Sequence, residues 1–444
     1  MNKRALGIAT AIMLFTGLVV LQVVQTARPR ASQVATLPDG STLRLESVSY
    51  GKEHFRPGAW WHPLARRLPS DWQRRLNVDP GVSMTTAAPS LGVWLSWDKT
   101  GGSGGGWWDF GLVDEHGVEV PASSNNNHES THTGQPRVLG RTFTAFPRRG
   151  VAMTLRLYQR KPGGERVLAA SFQLPNPVRG KFPEWRPQPM PAVVKQGDLE
   201  ITFKQLVVGV SSDDPPLLPM RGEAGQARAN FHVSERGVPS KHWFPDGIEL
   251  TDATGNKLRQ DSWSSGRVSE GATFITWKPY LWPSETAWKI RVEFMRNEHA
   301  VFSTNELIVV TGLAIPAPDG VTELQLSTNR LGHGVRVLGL AQGTGQFGNE
   351  YSSMAGDKGV RVDVFISPEL GTGKRLTVVS VRDDQGRKLD SRGAGRSSNS
   401  YSFGYEPKPD AKSLDFTLVV QEVVTAEFLV KPELFTPAKA AGGK

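Results

Sequence analysis

Four landmarks recur in fixed order three times along this 444-residue chain, and the triplication constrains the fold more than any single motif does. The first is a short alternating run. Leu43-Arg-Leu45-Glu-Ser-Val48-Ser-Tyr-Gly51 is matched by Ile201-Thr-Phe203-Lys-Gln-Leu206-Val-Val-Gly209 and by Val335-Arg-Val337-Leu-Gly-Leu340-Ala-Gln-Gly343. In each, two apolar residues alternate, the phase slips by one, and a glycine closes the segment. Alternation is the pattern of a strand with one buried face, and the slip predicts a β-bulge.

The second landmark is another strand: Val93-Trp-Leu95-Ser-Trp97, Ala229-Asn-Phe231-His-Val233 and Val362-Asp-Val364-Phe-Ile366. The third is Asp-x-x-Gly, at Asp114–Gly117, Asp252–Gly255 and Asp383–Gly386, where Asp bonds its own backbone and Gly accepts positive φ. The same carboxylates are the kind that calcium takes, but a turn alone explains them. The fourth is a pair of strands. Leu155-Arg-Leu157, Ile290-Arg-Val292 and Phe416-Thr-Leu418 are followed by Phe172-Gln-Leu174, Leu307-Ile-Val309 and Phe428-Leu-Val430.

Repeats with short strands, close turn signals and little helical periodicity read as a mainly β protein of three consecutive antiparallel β-sandwich, immunoglobulin-like domains. Read in sequence order, the first domain is 33–178, a Pro-rich linker fills 179–192, the second is 193–314 and the third 319–436. Prolines at 175–191 and at Ile315-Pro-Ala-Pro318 favour extended joints, giving a short rod. The tail 437–444 is expected to be disordered.

Residues 5–24, ALGIATAIMLFTGLVVLQVV, hold no charge and cover about 30 Å as a helix, the thickness of a hydrocarbon core. Lys3 and Arg4 sit in a cytoplasmic stub, 1–4, ahead of it. No small-residue pair marks a good cleavage site, so one uncleaved transmembrane helix is the leading reading and a cleaved signal the alternative. Everything after residue 31 is then exported, periplasmic or extracellular.

The first copy carries an insertion between its first two strands, with a helix expected over 60–77. Leu64, Leu68, Trp72 and Leu76 fall four apart, with Arg66, Arg67, Arg74 and Arg75 between them. Trp72 and these arginines are candidate membrane-surface contacts; the alternative is a helix packed on the first domain. Trp60 and Trp61 precede the helix, and Trp107 and Trp108 follow the Gly101–Gly106 loop. These four are candidate ligand or partner contacts, a sugar-stacking face with Trp94 and Trp97 near by in sequence.

Other chemistry finds little footing. There are no cysteines, which excludes disulfides, Cys-based metal sites and a thiol nucleophile. Ser96-Trp-Asp-Lys99 matches S-x-x-K, but Ser96 lies in a strand and its lysine doubles as that of K-T-G. His128 and His132 sit in a polar segment read as a solvated loop. Lysine and arginine, 52 against 43 acidic residues, are spread along the whole chain, which speaks against nucleic acid. No metal, cofactor or catalytic set is expected.

The run LPDGSTLRLESVSYGKEHFRPG, the Leu-Pro-x-x-Trp segment and Leu91-Gly-Val-Trp-Leu-Ser-Trp97 together resemble uncharacterised membrane-anchored proteins of bacterial genomes, over residues 37–97. That resemblance implies an anchored, exported architecture and assigns no activity. The expectation is a non-enzymatic, single-pass envelope protein whose domains serve as an interaction or scaffolding module. Its partners would be the membrane and another envelope protein. A carbohydrate-binding protein using the tryptophans is the alternative, and an unrecognised enzyme the third.

Overall fold

The computed structural model describes residues 33–37, 40–55, 69, 71, 83–98, 108–121, 127–130, 137–160, 166–178, 180–210, 226–259, 263–278, 280–343, 359–370, 373–397 and 399–434. The expected anchor 5–24, the tail 437–444 and the candidate helix, isolated positions apart, lie outside them. Among the described residues no helix is long and apolar enough to cross a membrane.

The described chain is mainly β: 28 strands in six sheets, antiparallel except for one two-residue contact. Three sheets repeat one order of neighbours. In the first unit it is Val34–Thr36, Thr42–Phe55, Ser83–Asp98, Arg137–Phe143 and Asn127–Ser130. Ala192–Gln196, Leu199–Val210, Gln226–Glu235, Ala272–Trp277 and Trp263–Arg267 follow it in the second unit. Val321–Arg330, His333–Gln342, Val360–Ser367, Ser400–Tyr405 and Ser391–Ser397 follow it in the third. Asn127–Ser130 corrects the solvated-loop reading of His128, which lies on an edge strand opposite Gly140.

The phase slip is a bulge in every copy. Pairing with the second strand shifts between Leu45 and Ser47, between Phe203 and Gln205, and between Val337 and Gly339. The Asp-x-x-Gly turns coincide bond for bond. His116 and Val118 donate their backbone N–H groups to Asp114 Oδ1, Thr254 and Asn256 to Asp252, and Gln385 and Arg387 to Asp383, at 2.9–3.1 Å. The glycines take φ of +82°, +86° and +77°, where a side chain would be strained. With Oδ1 engaged by two N–H donors in each copy, the carboxylates serve the turns.

The second sheets break the expected order. In the first unit Trp108–Val113 pairs with Ala152–Arg160, which pairs with Arg166–Pro175, as the repeat requires. In the second, Trp243–Asp252 pairs with Trp288–Arg296, but the next strand is Val424–Val430, from the far end of the chain. In the third, Lys374–Asp383 pairs with Ser413–Glu422, and the next strand is Leu307–Ala314. The two last strands are therefore exchanged. The assignment of 307–314 to the second domain and of the segment beyond 423 to the third is corrected: the third unit, 307–422, is inserted into the second ahead of its final strand. Sequence similarity could not separate the two arrangements, because the swapped strands share one pattern.

The returning strand is firmly held. Ala426, Phe428 and Val430 are buried, and the Phe428 ring lies 5.0 Å from Phe203 and 6.2 Å from Phe231 between centroids. Beyond it, Glu433–Leu434 runs parallel to Val207–Val208. The outer edges of two last strands are covered by glutamines. The Gln33 amide donates to Gln173 O and accepts from Gln173 N, and Gln188 exchanges two bonds with the Leu429 backbone. Such cover blunts edges that would otherwise recruit foreign strands.

Three separately closed interiors were also expected. One hydrophobic cluster instead runs through the first and second units, and another fills the third.

Candidate functional site

Each unit has two ends. One carries the Asp-x-x-Gly turn and the loop that follows the five-stranded sheet; the other carries the opposite ends of the same strands. The first and second units meet turn end to turn end, and the contact is reciprocal. From the second unit's turn, Asn256 Nδ2 donates to Phe146 O at 2.9 Å and its Oδ1 accepts the Phe146 N–H at 3.3 Å. From the second unit's loop, Ser284 Oγ donates to Asp114 Oδ2 at 3.4 Å. Phe146, Leu281 and Trp282 are fully or almost fully buried around these bonds.

Arg149 grips Glu285 through both carboxylate oxygens at 3.0 and 3.1 Å. Glu285 is buried, which pushes its pKa above the usual carboxylate range; Asp252 and Glu184 push the same way, and Arg149 only partly offsets them.

The second and third units meet at their other ends. Arg375 of the third binds both Asp246 and Glu293 of the second. Gln421, fully buried, accepts the Arg296 N–H and donates to Arg296 O, each at 3.0 Å, and reaches Thr377 Oγ1 at 3.2 Å. Arg296 in turn holds Glu306. Burial pushes the Glu306 carboxyl up, but bonds from Ser303 and Arg296 outweigh it and hold the pKa low. The chain crosses this junction twice, at 297–306 and at 423.

One turn end is left: that of the third unit. It forms an open groove of about 1230 Å³ between the turn, the loop and the segment Ile315–Pro318. Leu389, Pro407 and Pro409 add apolar surface to its lining, which also holds Arg387, Lys388, Lys408 and Lys412 with Asp390 and Glu406. Arg387 joins turn to loop, donating to Asp383 Oδ2 at 2.7 Å and to both oxygens of Asp410 at 2.7 and 3.1 Å. Those two carboxylates raise its pKa further. The groove offers charged and apolar surface to a partner.

Trp60, Trp61, Trp107, Arg66, Arg67, Trp72, Arg74 and Arg75 lie outside the described residues. Trp108 opens the strand Trp108–Val113, at the end of the first unit opposite its Asp-x-x-Gly turn. Trp94 and Trp97, read as possible neighbours in a sugar-stacking face, are 0% and 2% exposed and cannot serve as one. Trp97 Nε1 donates to Ser41 Oγ at 2.9 Å, and Trp94 packs with Met84 and Val138. A Cβ at Gly140 would stand 2.7 Å from Trp94 and 2.6 Å from Met84 Sδ, so glycine makes the room.

Next to Trp108, Asp109 pairs with Arg166 at 3.2 Å, and Glu119 takes Arg156 at 3.1 Å and the Tyr158 hydroxyl. Burial, then Glu119, raises the Tyr158 pKa. Two acids and two arginines leave this cluster neutral.

Sequence reasoning missed Phe146, Leu281, Trp282 and Glu285. Their signal was an aromatic beside proline in two of the three corresponding loops, AFPRRG and PYLWPSE, against EPKPDAK in the third. It also missed His54, fully buried, whose ring nitrogens bond the Ser49 and Ser90 hydroxyls at 2.8 Å each. Burial lowers the His54 pKa and keeps the ring neutral. The group is enclosed, as a structural network would be.

No family model matches the chain, and no curated protein matches it. Solved structures with some likeness include a marsupial T cell receptor, 9% identical over 76% of this chain and 94% of that one, with a TM-score of 0.13. Another is the complex of Dpr2 Ig1-Ig2 with DIP-Theta Ig1-Ig3, 8% identical over 78% and 94%, with a TM-score of 0.11. Scores this low carry no argument.

Proposed function

We propose that the chain is a non-enzymatic, single-pass membrane-anchored envelope protein whose three immunoglobulin-like β-sandwiches act as a stiff interaction scaffold. In this reading residues 5–24 hold it in the membrane and everything beyond residue 31 is exported. The observation that supports it best is the pair of junctions. One buries aromatics and a clamped glutamate, the other is crossed twice by the chain, and neither resembles a flexible linker. A scaffold needs such joints, because a fixed spacing between its ends is what it supplies.

The test uses the absence of native cysteine. Spin labels on Ser171→Cys in the first unit and Ser327→Cys in the third should report one narrow distance distribution. A broad distribution would refute the scaffold. A membrane-impermeant maleimide reaching either cysteine in intact cells checks the export, and protection of both sites refutes it.

A second reading, binding of polysaccharide, draws support from Trp108. It opens a strand whose next residue enters the Asp109, Glu119, Arg156, Tyr158 and Arg166 cluster, at an end on which, among the described residues, no other unit docks. Tryptophan rings suit sugar faces, and charged groups suit sugar hydroxyls. Glycan-array binding lost in Trp107→Ala plus Trp108→Ala is the expected result; an array with no positive polysaccharide ends that reading.

A further inference from the structure

We infer that the open turn end of the third unit is a self-association surface, through which two copies of the chain meet about a two-fold axis. The inference rests on the scaffold reading, and its test separates the two. The argument starts from the junction between the first and second units. There, two turn ends of the same fold already face one another. The turn of the second unit bonds the loop of the first through Asn256 and Phe146, and the loop of the second bonds the turn of the first through Ser284 and Asp114. Turn to loop and loop to turn is the reciprocity of a two-fold contact, in which each surface serves both roles.

The third unit carries the same turn, bond for bond, and a corresponding loop, Glu406–Lys412; its groove is lined by the unit's own residues, with Lys388 also 4.0 Å from Glu298 of the crossing segment. Within one chain the arrangement uses up two turn ends and leaves one, so a second copy supplies the fourth.

Charge favours a like partner over a strongly acidic or basic one. Both walls of the groove carry both signs in equal number: Arg387 and Lys388 with Asp383 and Asp390 on the turn side, Lys408 and Lys412 with Glu406 and the adjoining Asp410 on the loop side. A two-fold rotation sets each turn side against the opposite loop side, where mixed charges can pair without net repulsion. The contact differs from the first junction in chemistry. Where Phe146, Leu281 and Trp282 give that joint an apolar centre, the third unit offers Leu389, Pro407 and Pro409 inside a charged rim. Association is therefore weak, reversible and salt-sensitive, since exposed charge pairs are screened.

The experiment uses the full chain in its membrane with one introduced cysteine. Ser391 lines the groove and is exposed, so Ser391→Cys with a short bismaleimide should give covalent dimers, and Ser171→Cys on the first unit gives the background. Raising the salt should reduce the dimer. Adding Lys388→Glu plus Lys408→Glu to Ser391→Cys should lower it by about tenfold, the order expected for reversing two exposed charge contacts. An unchanged near-ultraviolet signal from the buried Tyr401 and Tyr405 shows that the variant still folds.

Dimer no stronger from Ser391→Cys than from Ser171→Cys overturns the proposal, as does a yield indifferent to charge reversal. Cross-linking of Ser391→Cys only to a different protein overturns it too, and assigns the groove to that protein. In each case a narrow Ser171–Ser327 distance would leave the scaffold standing and remove only the self-association.

Discussion

Replacing Phe428 by alanine separates the exchanged arrangement from a sequential one, because the two place the damage in different units. Phe428 is 1% exposed and packs against Phe203 and Phe231 of the second unit, with Val292 opposite its neighbour Ala426 on the adjoining strand. Truncating a buried phenylalanine removes its apolar burial and leaves a cavity, together about 3–5 kcal/mol. For a unit of this size that lowers the melting midpoint on the order of 10 °C. Tryptophan fluorescence is the assay. All 13 tryptophans lie outside residues 307–422, and the second unit buries Trp277, Trp282 and Trp288. Phe428→Ala should therefore lower the fluorescence-detected midpoint although it falls after the whole third unit in sequence. Phe416→Ala, at an equally buried site in the third unit, should act chiefly on amide hydrogen exchange of Val360–Ser367. A fluorescence midpoint unmoved by Phe428→Ala, with the amides of Val360–Ser367 exchanging faster instead, would refute the strand exchange.

Three further outcomes follow from the same geometry. Asn256→Ala leaves the Phe146 carbonyl and N–H without their partner at a buried joint, and should weaken the junction of the first two units by about 1–3 kcal/mol; a broadened distance between labels on those two units checks it. Glu285 has its pKa raised in the folded chain, so that state binds the proton more tightly than the unfolded one does. Its contribution to stability is accordingly present at low pH and lost as pH rises from the ordinary glutamate value, about 4.3, through the raised one. Urea midpoints of wild type should fall across that window relative to Glu285→Gln, and parallel profiles would contradict the assignment. Gly339→Ala would set a Cβ 2.0 Å from Thr322 O at a φ of +140°, so it should destabilise the third unit by roughly 2 kcal/mol or more. Hydrogen exchange of 321–342 is the readout.

Local features were legible in the sequence wherever one residue's chemistry dictated one geometry. The slip after Leu45, Phe203 and Val337 read as a bulge and is one. The three aspartates read as turns and bond as turns. Partner choice was not legible, since Leu307–Val309 and Phe428–Val430 have the same alternation and either could complete either sheet. What distinguishes them is the aromatic ring of Phe428, which meets Phe203 and Phe231, and contacts so distant in sequence leave no periodic trace. The groove was hidden for a related reason: its walls come from three separate segments, and only its contrast with the aromatic loops of the other copies hints that it stays open. Trp94 and Trp97 misled because tryptophans near a glycine-rich loop resemble a binding face, while these two are needed inside.

The chain crosses from its second unit to its third and returns, and this orders its maturation. Synthesis runs from amino to carboxyl terminus, so the first unit has all its strands long before the second does. The second waits, its Trp288–Arg296 edge bare, while more than a hundred further residues emerge. Only the last segment closes it. A chain stopped short of residue 424 would leave that edge open to foreign strands.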